Sequence, residues 1–145
     1  MERLNDLKRL SYPTDESTPE GIFLGPLATM HTIISRDQLK TLLNRSEELV
    51  LVNSLSTEEF EHEHIPGSIN IPADEIERLA SSLLKEDDLI VVYSSSPRCM
   101  ISAVAADKLT TIGYENVLRF SGGITEWEAA GFPVEQGYSA RGKAA

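Results

Sequence analysis

Apolar residues along this chain fall into two kinds of run. Leu49-Val50-Leu51-Val52 and Leu89-Ile90-Val91-Val92-Tyr93 are continuous. Their length and β-branched content predict strands buried on both faces of a parallel sheet. Between them lie segments with apolar residues at helical spacing. Thr32-Ile33-Ile34 predicts a short first strand, and Ser35 caps a helix running through Leu43. Ser56-Thr57-Glu58-Glu59 is a capping box opening a short helix with Phe60 on its inner side. Ile65-Pro66-Gly67 turns into a third strand, Ser68 to Ile71, which Pro72 stops, and Asp74 to Leu84 is predicted helical. After the fourth strand a helix is expected to place Ile101, Val104, Ala105, Leu109 and Ile112 on its buried face, with Gly113 just past its end. Asn116 to Phe120 predicts a fifth strand. Ser121-Gly122-Gly123 then leads into a helix from Ile124 to Ala130.

This alternation predicts an α/β fold with a mainly parallel sheet flanked by helices on both faces. Such sheets bind ligands beyond the carboxyl ends of their strands. The fourth strand ends in the segment VVYSSSPRCMISAVAA, residues 91 to 106, where an apolar run stops in small polar residues and a helix begins. Strand, tight loop and helix N-terminus together form an anion site. The backbone N–H groups of Ser95, Ser96, Arg98, Cys99, Met100 and Ile101 are the expected donors, while Pro97 lacks an N–H and stiffens the loop. Arg98 either binds the anion or simply faces solvent on the first helical turn.

The ends read differently. Residues 1 to 28 form an extension in which Leu4, Leu7 and Leu10 share helical spacing ahead of the polar linker SYPTDESTPEG. That pattern suits a helix docking on the domain or on a second copy, so a homodimer through this segment is one expectation. Residues 29 to 135 are the single domain, and 136 to 145 are expected to be a flexible tail. The formal net charge is −10, which argues against nucleic acid and anionic membrane partners. No apolar run reaches membrane-spanning length, and MERLNDLKRL lacks the apolar core of a leader. One cysteine, Cys99, excludes a disulfide framework and a cysteine-rich zinc site, which points to the cytoplasm. His62 and His64 beside Glu61 and Glu63 raise a metal site, but nothing completes it. His64 is expected to bond backbone next to a Pro-Gly turn, and His62 to sit on a solvated helix end. Trp127 reads as core against Gly122-Gly123 and not as a ligand platform. No metal and no cofactor are expected.

Several separated motifs then agree on one family. Leu51-Val52-Asn53, Glu59-Phe60, His64-Ile65-Pro66-Gly67-Ser68-Ile69-Asn70-Ile71-Pro72, Val91-Val92-Tyr93, Gly113-Tyr114-Glu115-Asn116-Val117, Gly122-Gly123 with Trp127, and Ala130-Gly131-Phe132-Pro133-Val134 stand in rhodanese order and spacing. From residue 30 to 135 the chain resembles a single-domain rhodanese. The resemblance implies a five-stranded parallel sheet. It also implies a cysteine just after the fourth strand that takes sulfur from a donor such as thiosulfate, holds it as a persulfide and passes it to a nucleophilic acceptor. Ser94 stands at that position. The loop is similar to a subgroup with Cys-x-x-x-x-Cys-x-x-Ser, in which Cys99 matches the second cysteine and Ser102 the serine. Asn53 and Leu55 replace an aspartate and an arginine frequent in the family.

A persulfide needs a thiolate that attacks sulfur. Ser94 is nearly isosteric with cysteine but chemically dead for this transfer, whether it arose by natural drift toward binding or by an engineered replacement. The chain is therefore expected to be a sulfurtransferase scaffold, inactive as written unless Cys99 substitutes. Cys99 lies five residues past the strand end, and its side chain is expected on the helix, away from the centre of the loop. The partners in view are a small anionic sulfur donor and a thiol or protein acceptor. The alternative is a non-catalytic module binding an anion or a partner. A cysteine-dependent phosphatase is rejected, because the required arginine position holds Met100, and Ser94 lacks the Gly-x-Ser-x-Gly elbow of a serine hydrolase.

Overall fold

The computed structural model describes residues 31–45 and 48–137. The N-terminal extension, with its leucines at 4, 7 and 10, and residues 138–145 of the tail lie outside them. Five strands, β1 (Thr32–Ile34), β2 (Leu49–Asn53), β3 (Ile69–Asn70), β4 (Leu89–Tyr93) and β5 (Val117–Phe120), form one sheet in the order β1-β5-β4-β2-β3. Every pairing is parallel. The two continuous apolar runs, β2 and β4, pair at the centre over their whole length, from Leu49 with Leu89 to Asn53 with Tyr93. Parallel strands need crossovers, and each contains a helix: α1 (Arg36–Asn44), α2 (Thr57–His62), α3 (Ile76–Leu83, entered through a 3-10 turn at Ala73–Glu75) and α4 (Ile101–Thr111), while α5 (Gly123–Ala129) follows the last strand.

Alternating side chains of the strands feed two cores. Val50, Val52, Ile90, Val92 and Val117 pack on α3 and α4. Ile34, Leu51, Val91, Tyr93, Leu118 and Phe120 pack on the other face with Leu39, Leu42, Ile124 and Trp127 of α1 and α5. Trp127 is core, as expected, though its partners are the rings of Phe120 and Phe132, and its Nε1 donates to the Pro133 carbonyl at 2.7 Å. Both serine caps form. Ser35 with Gln38, and Ser56 with Glu59, make reciprocal capping boxes that satisfy free N–H groups at the helix starts.

Three expectations shift. The third strand is shorter than Ser68–Ile71, because the Ser68 N–H and hydroxyl both turn back to the Ile65 carbonyl. The helix expected from Asp74 starts regular α geometry only at Ile76. The largest change concerns α4. Its buried face is Ser102, Ala105, Ala106 and Leu109, while Ile101, Val104 and Ile112 are exposed. Ala105 and Leu109 are buried as expected, and the buried face is rotated toward Ser102 and Ala106. Small residues at 102, 105 and 106 let its backbone approach the sheet, and the larger side chains are left on the rim.

Candidate functional site

The carboxyl end of β4 is fastened before the loop begins. The Tyr93 hydroxyl accepts the Ile65 N–H at 2.9 Å and pairs with Ser68 Oγ at 2.8 Å, and its carbonyl accepts both the N–H and the hydroxyl of Ser54 at 3.0 Å. Ser94 follows, 1% exposed. The loop carbonyls point to α5: Ser94 O accepts the Ile124 N–H at 3.1 Å, and Ser95 O accepts both the N–H and the hydroxyl of Thr125 at 2.9 Å. Gly123 makes this approach feasible. Its φ is +69°, and a Cβ there would stand 2.7 Å from Ser94 O, Ser95 C and Ser96 N. No residue with a side chain fits without moving the loop.

With its carbonyls engaged on α5, the loop offers other polar groups to Cys99. Burial pushes the Cys99 thiol up, but hydrogen bonding from the Ser94 hydroxyl, the Ile101 N–H, and the hydroxyl and N–H of Ser95 brings it below its ordinary value. The groups that favour the Cys99 thiolate thus come from the loop as well as from the first turn of α4. The Cys99 N–H bonds the Ser96 carbonyl at 3.0 Å, which curls residues 96–99 into a turn. Of the six N–H groups expected to converge, those of Ser95 and Ile101 serve the thiol, and that of Cys99 is spent within the turn. Ser95 and Ser96 are half-buried, and Pro97, Arg98 and Met100 are exposed on the rim.

A further cation stands nearby. Arg119 of β5 donates from Nε to Ser102 Oγ at 2.9 Å, in the first turn of α4. Burial lowers its guanidinium, and the charge of Cys99 raises it. Sequence reading missed this residue. A charged side chain inside the short apolar run Val117-Leu118-Arg119-Phe120, in an acidic chain, was the available signal. By contrast, Asn53 and Leu55 are buried and structural: Asn53 Oδ1 accepts the Leu55 N–H at 2.9 Å. His64 is buried too. Its ring stacks on Phe60 and its Nδ1 lies 2.8 Å from the Phe60 carbonyl, the backbone role expected of it. His62 is exposed at the end of α2, and the described residues contain no cluster of three or more metal-ligating side chains.

Comparison with known proteins bears on this arrangement. Residues 35–130 match the rhodanese-like domain family. An HTH-type transcriptional regulator of Mycobacterium tuberculosis is 40% identical over 99 residues, 66% of this chain and 42% of that protein. A putative sulfur carrier protein of Bacillus subtilis is 30% identical over 94 residues, 65% of this chain and 49% of that protein. This chain therefore matches less than half the length of either. A sulfurtransferase of Allochromatium vinosum is 29% identical over 101 residues, covering 70% of this chain and 92% of that one. Among solved structures, a rhodanese-like domain from Anabaena superposes with a TM-score of 0.67 at 26% identity, covering 74% of this chain and 80% of that one.

Proposed function

This chain belongs to the rhodanese-like domain family, and from that premise we propose a sulfurtransferase scaffold in which Ser94 carries no sulfur and Cys99 is the carrier. One observation supports Cys99 above all. The only thiol of the chain is held among the Ser94 and Ser95 hydroxyls and two backbone N–H groups that favour its thiolate. Ser94 then has a different task. It cannot form a persulfide, but its hydroxyl donates to the sulfur that can.

The reaction is a pair of displacements. The Cys99 thiolate attacks the outer sulfur of a donor such as thiosulfate. The S–S bond of the donor breaks, its electron pair leaves on sulfite, and Cys99 holds a persulfide anion. An acceptor nucleophile, cyanide or a thiolate, then takes the outer sulfur, and the Cys99 thiolate is restored. The loop N–H groups and hydroxyls stabilise anionic sulfur at both stages. The donor is a small anion, the acceptor a thiol or a protein carrying one, and a reducing compartment such as the cytoplasm suits a carrier that must stay a free thiol. No described helix is long and apolar enough to cross a membrane.

Intact mass after incubation with thiosulfate tests the proposal. One added sulfur atom is expected, discharged by cyanide and absent in Cys99→Ala. Ser94→Cys restores a thiol at the family's own position and is expected to raise thiosulfate-to-cyanide turnover by about tenfold or more. No sulfur on Cys99, with sulfate still shifting the amide signals of the loop, would replace the carrier with a non-catalytic anion-binding module.

A further inference from the structure

The sulfur site draws on a residue outside its loop. Arg119 lies on β5 in register with Val92 of β4, two residues before Ser94. Val92 faces the core beneath α4, so Arg119 projects to the same side. There its Nε bonds Ser102 Oγ at 2.9 Å. Ser102 is fully buried in the first turn of α4, three residues after Cys99 in sequence. The bond uses one edge of the guanidinium and fixes its plane, leaving the terminal nitrogens to project charge.

We infer that Arg119 is a positioning residue of the sulfur site: locked by Ser102, its guanidinium holds a fixed positive charge that stabilises anionic sulfur on Cys99. Three observations support this. Arg119 is half-buried in a chain of net charge −10, yet no ion pair among the described residues neutralises it. The charge of Cys99 acts on Arg119, favouring the charged guanidinium against its burial. His31, just before β1, also feels the Arg119 charge, which opposes its protonation, while Asp107 of α4 favours it. Exposed Arg98, on the loop itself, is the other cation near the thiol in sequence. The role also explains Ser102: a buried hydroxyl on the face of a helix against a sheet is costly unless bonded, and its bond is to this arginine.

The inference deepens the proposed function, and its test does not depend on sulfur transfer. Cys99 in the full chain is alkylated with iodoacetamide, a neutral probe, across a pH series. Arg119→Gln is expected to move the midpoint upward and slow the reaction at neutral pH by about three- to tenfold. Arg119→Lys, which keeps the charge and loses the fork, should fall between the two. Ser102→Ala should shift the midpoint the same way by less, since the guanidinium is then free to turn to solvent. An unchanged midpoint in folded Arg119→Gln overturns the inference, as does an Arg119→Lys curve that coincides with it. Should Arg119→Gln fail to fold, unchanged curves in both Arg119→Lys and Ser102→Ala overturn it equally. A clear Arg119 effect in a chain that takes no sulfur from thiosulfate would leave this inference standing and remove only the carrier role.

Discussion

The two segments that leave the paired central strands occupy equivalent places and do opposite things. Asn53 and Tyr93 are partners across β2 and β4, so residues 54–56 and 94–96 start side by side at the carboxyl edge of the sheet. After β2 most polar groups are used locally, with Asn53 Nδ2 the buried exception. Asn53 Oδ1 takes the Leu55 N–H, and Asn70 Nδ2 donates to the carbonyls of Asn53 and Leu55 at 3.1 and 2.9 Å. Leu55 itself is buried. After β4 the carbonyls are satisfied by α5, but hydroxyls and N–H groups remain directed at a thiol. A chemically useful edge is one where the backbone is satisfied from outside and donors are left over. An edge that satisfies itself is a brace.

The sharpest way to break the contrast is at Gly123. Gly123→Ala adds a Cβ against the loop backbone and demands a positive φ of an alanine. The conformational term is about 1–2 kcal/mol and overpacking adds about 1–3 kcal/mol. A stability loss of about 2–5 kcal/mol is therefore expected in urea unfolding, and the loop should move with it. Cys99 should then alkylate with the pH dependence of an ordinary thiol. Retained wild-type reactivity in this variant would show that the α5 contact does not shape the site.

Asn53→Ala tests the brace. A buried Leu55 N–H left without its acceptor costs about 1–3 kcal/mol. Urea unfolding should show that loss, and the alkylation midpoint of Cys99 should stay where it is. A shifted midpoint would mean that the two edges are one site.

Ser94→Ala is the smallest change and probes the loop alone. It removes one hydroxyl from the thiolate. A net hydrogen bond of about 0.5–1.5 kcal/mol corresponds to about a two- to tenfold loss of thiolate, read as slower alkylation at neutral pH. The sign on stability follows. The folded thiol lies below its ordinary value, so its contribution is present above that value and is lost as pH falls through the folded one. Ser94→Ala should narrow this pH-dependent difference, measured as unfolding midpoints on either side of the thiol range, and leave stability at acid pH nearly unchanged.

Much of the molecule was legible in the sequence because its signals are local. The continuous runs of β2 and β4, the serine caps at 35 and 56, and the break at Ser94 each depend on a few neighbouring residues. They fixed an α/β fold with a parallel sheet and singled out the loop after β4, and the ordered motifs named the family. The rotation of α4 was not legible. Its apolar residues describe two overlapping stripes, and only the requirement for close approach to the sheet selects the one with Ser102, Ala105 and Ala106 inside. The curl of residues 96–99 was likewise not legible, being a matter of backbone path and not of residue type. Arg119 and Ser102, seventeen residues apart, meet only because β5 lies beside β4 in the sheet while α4 crosses above it. Chain chemistry supplied a serine and an arginine; sheet order and helix rotation determined that Ser102 and Arg119 meet.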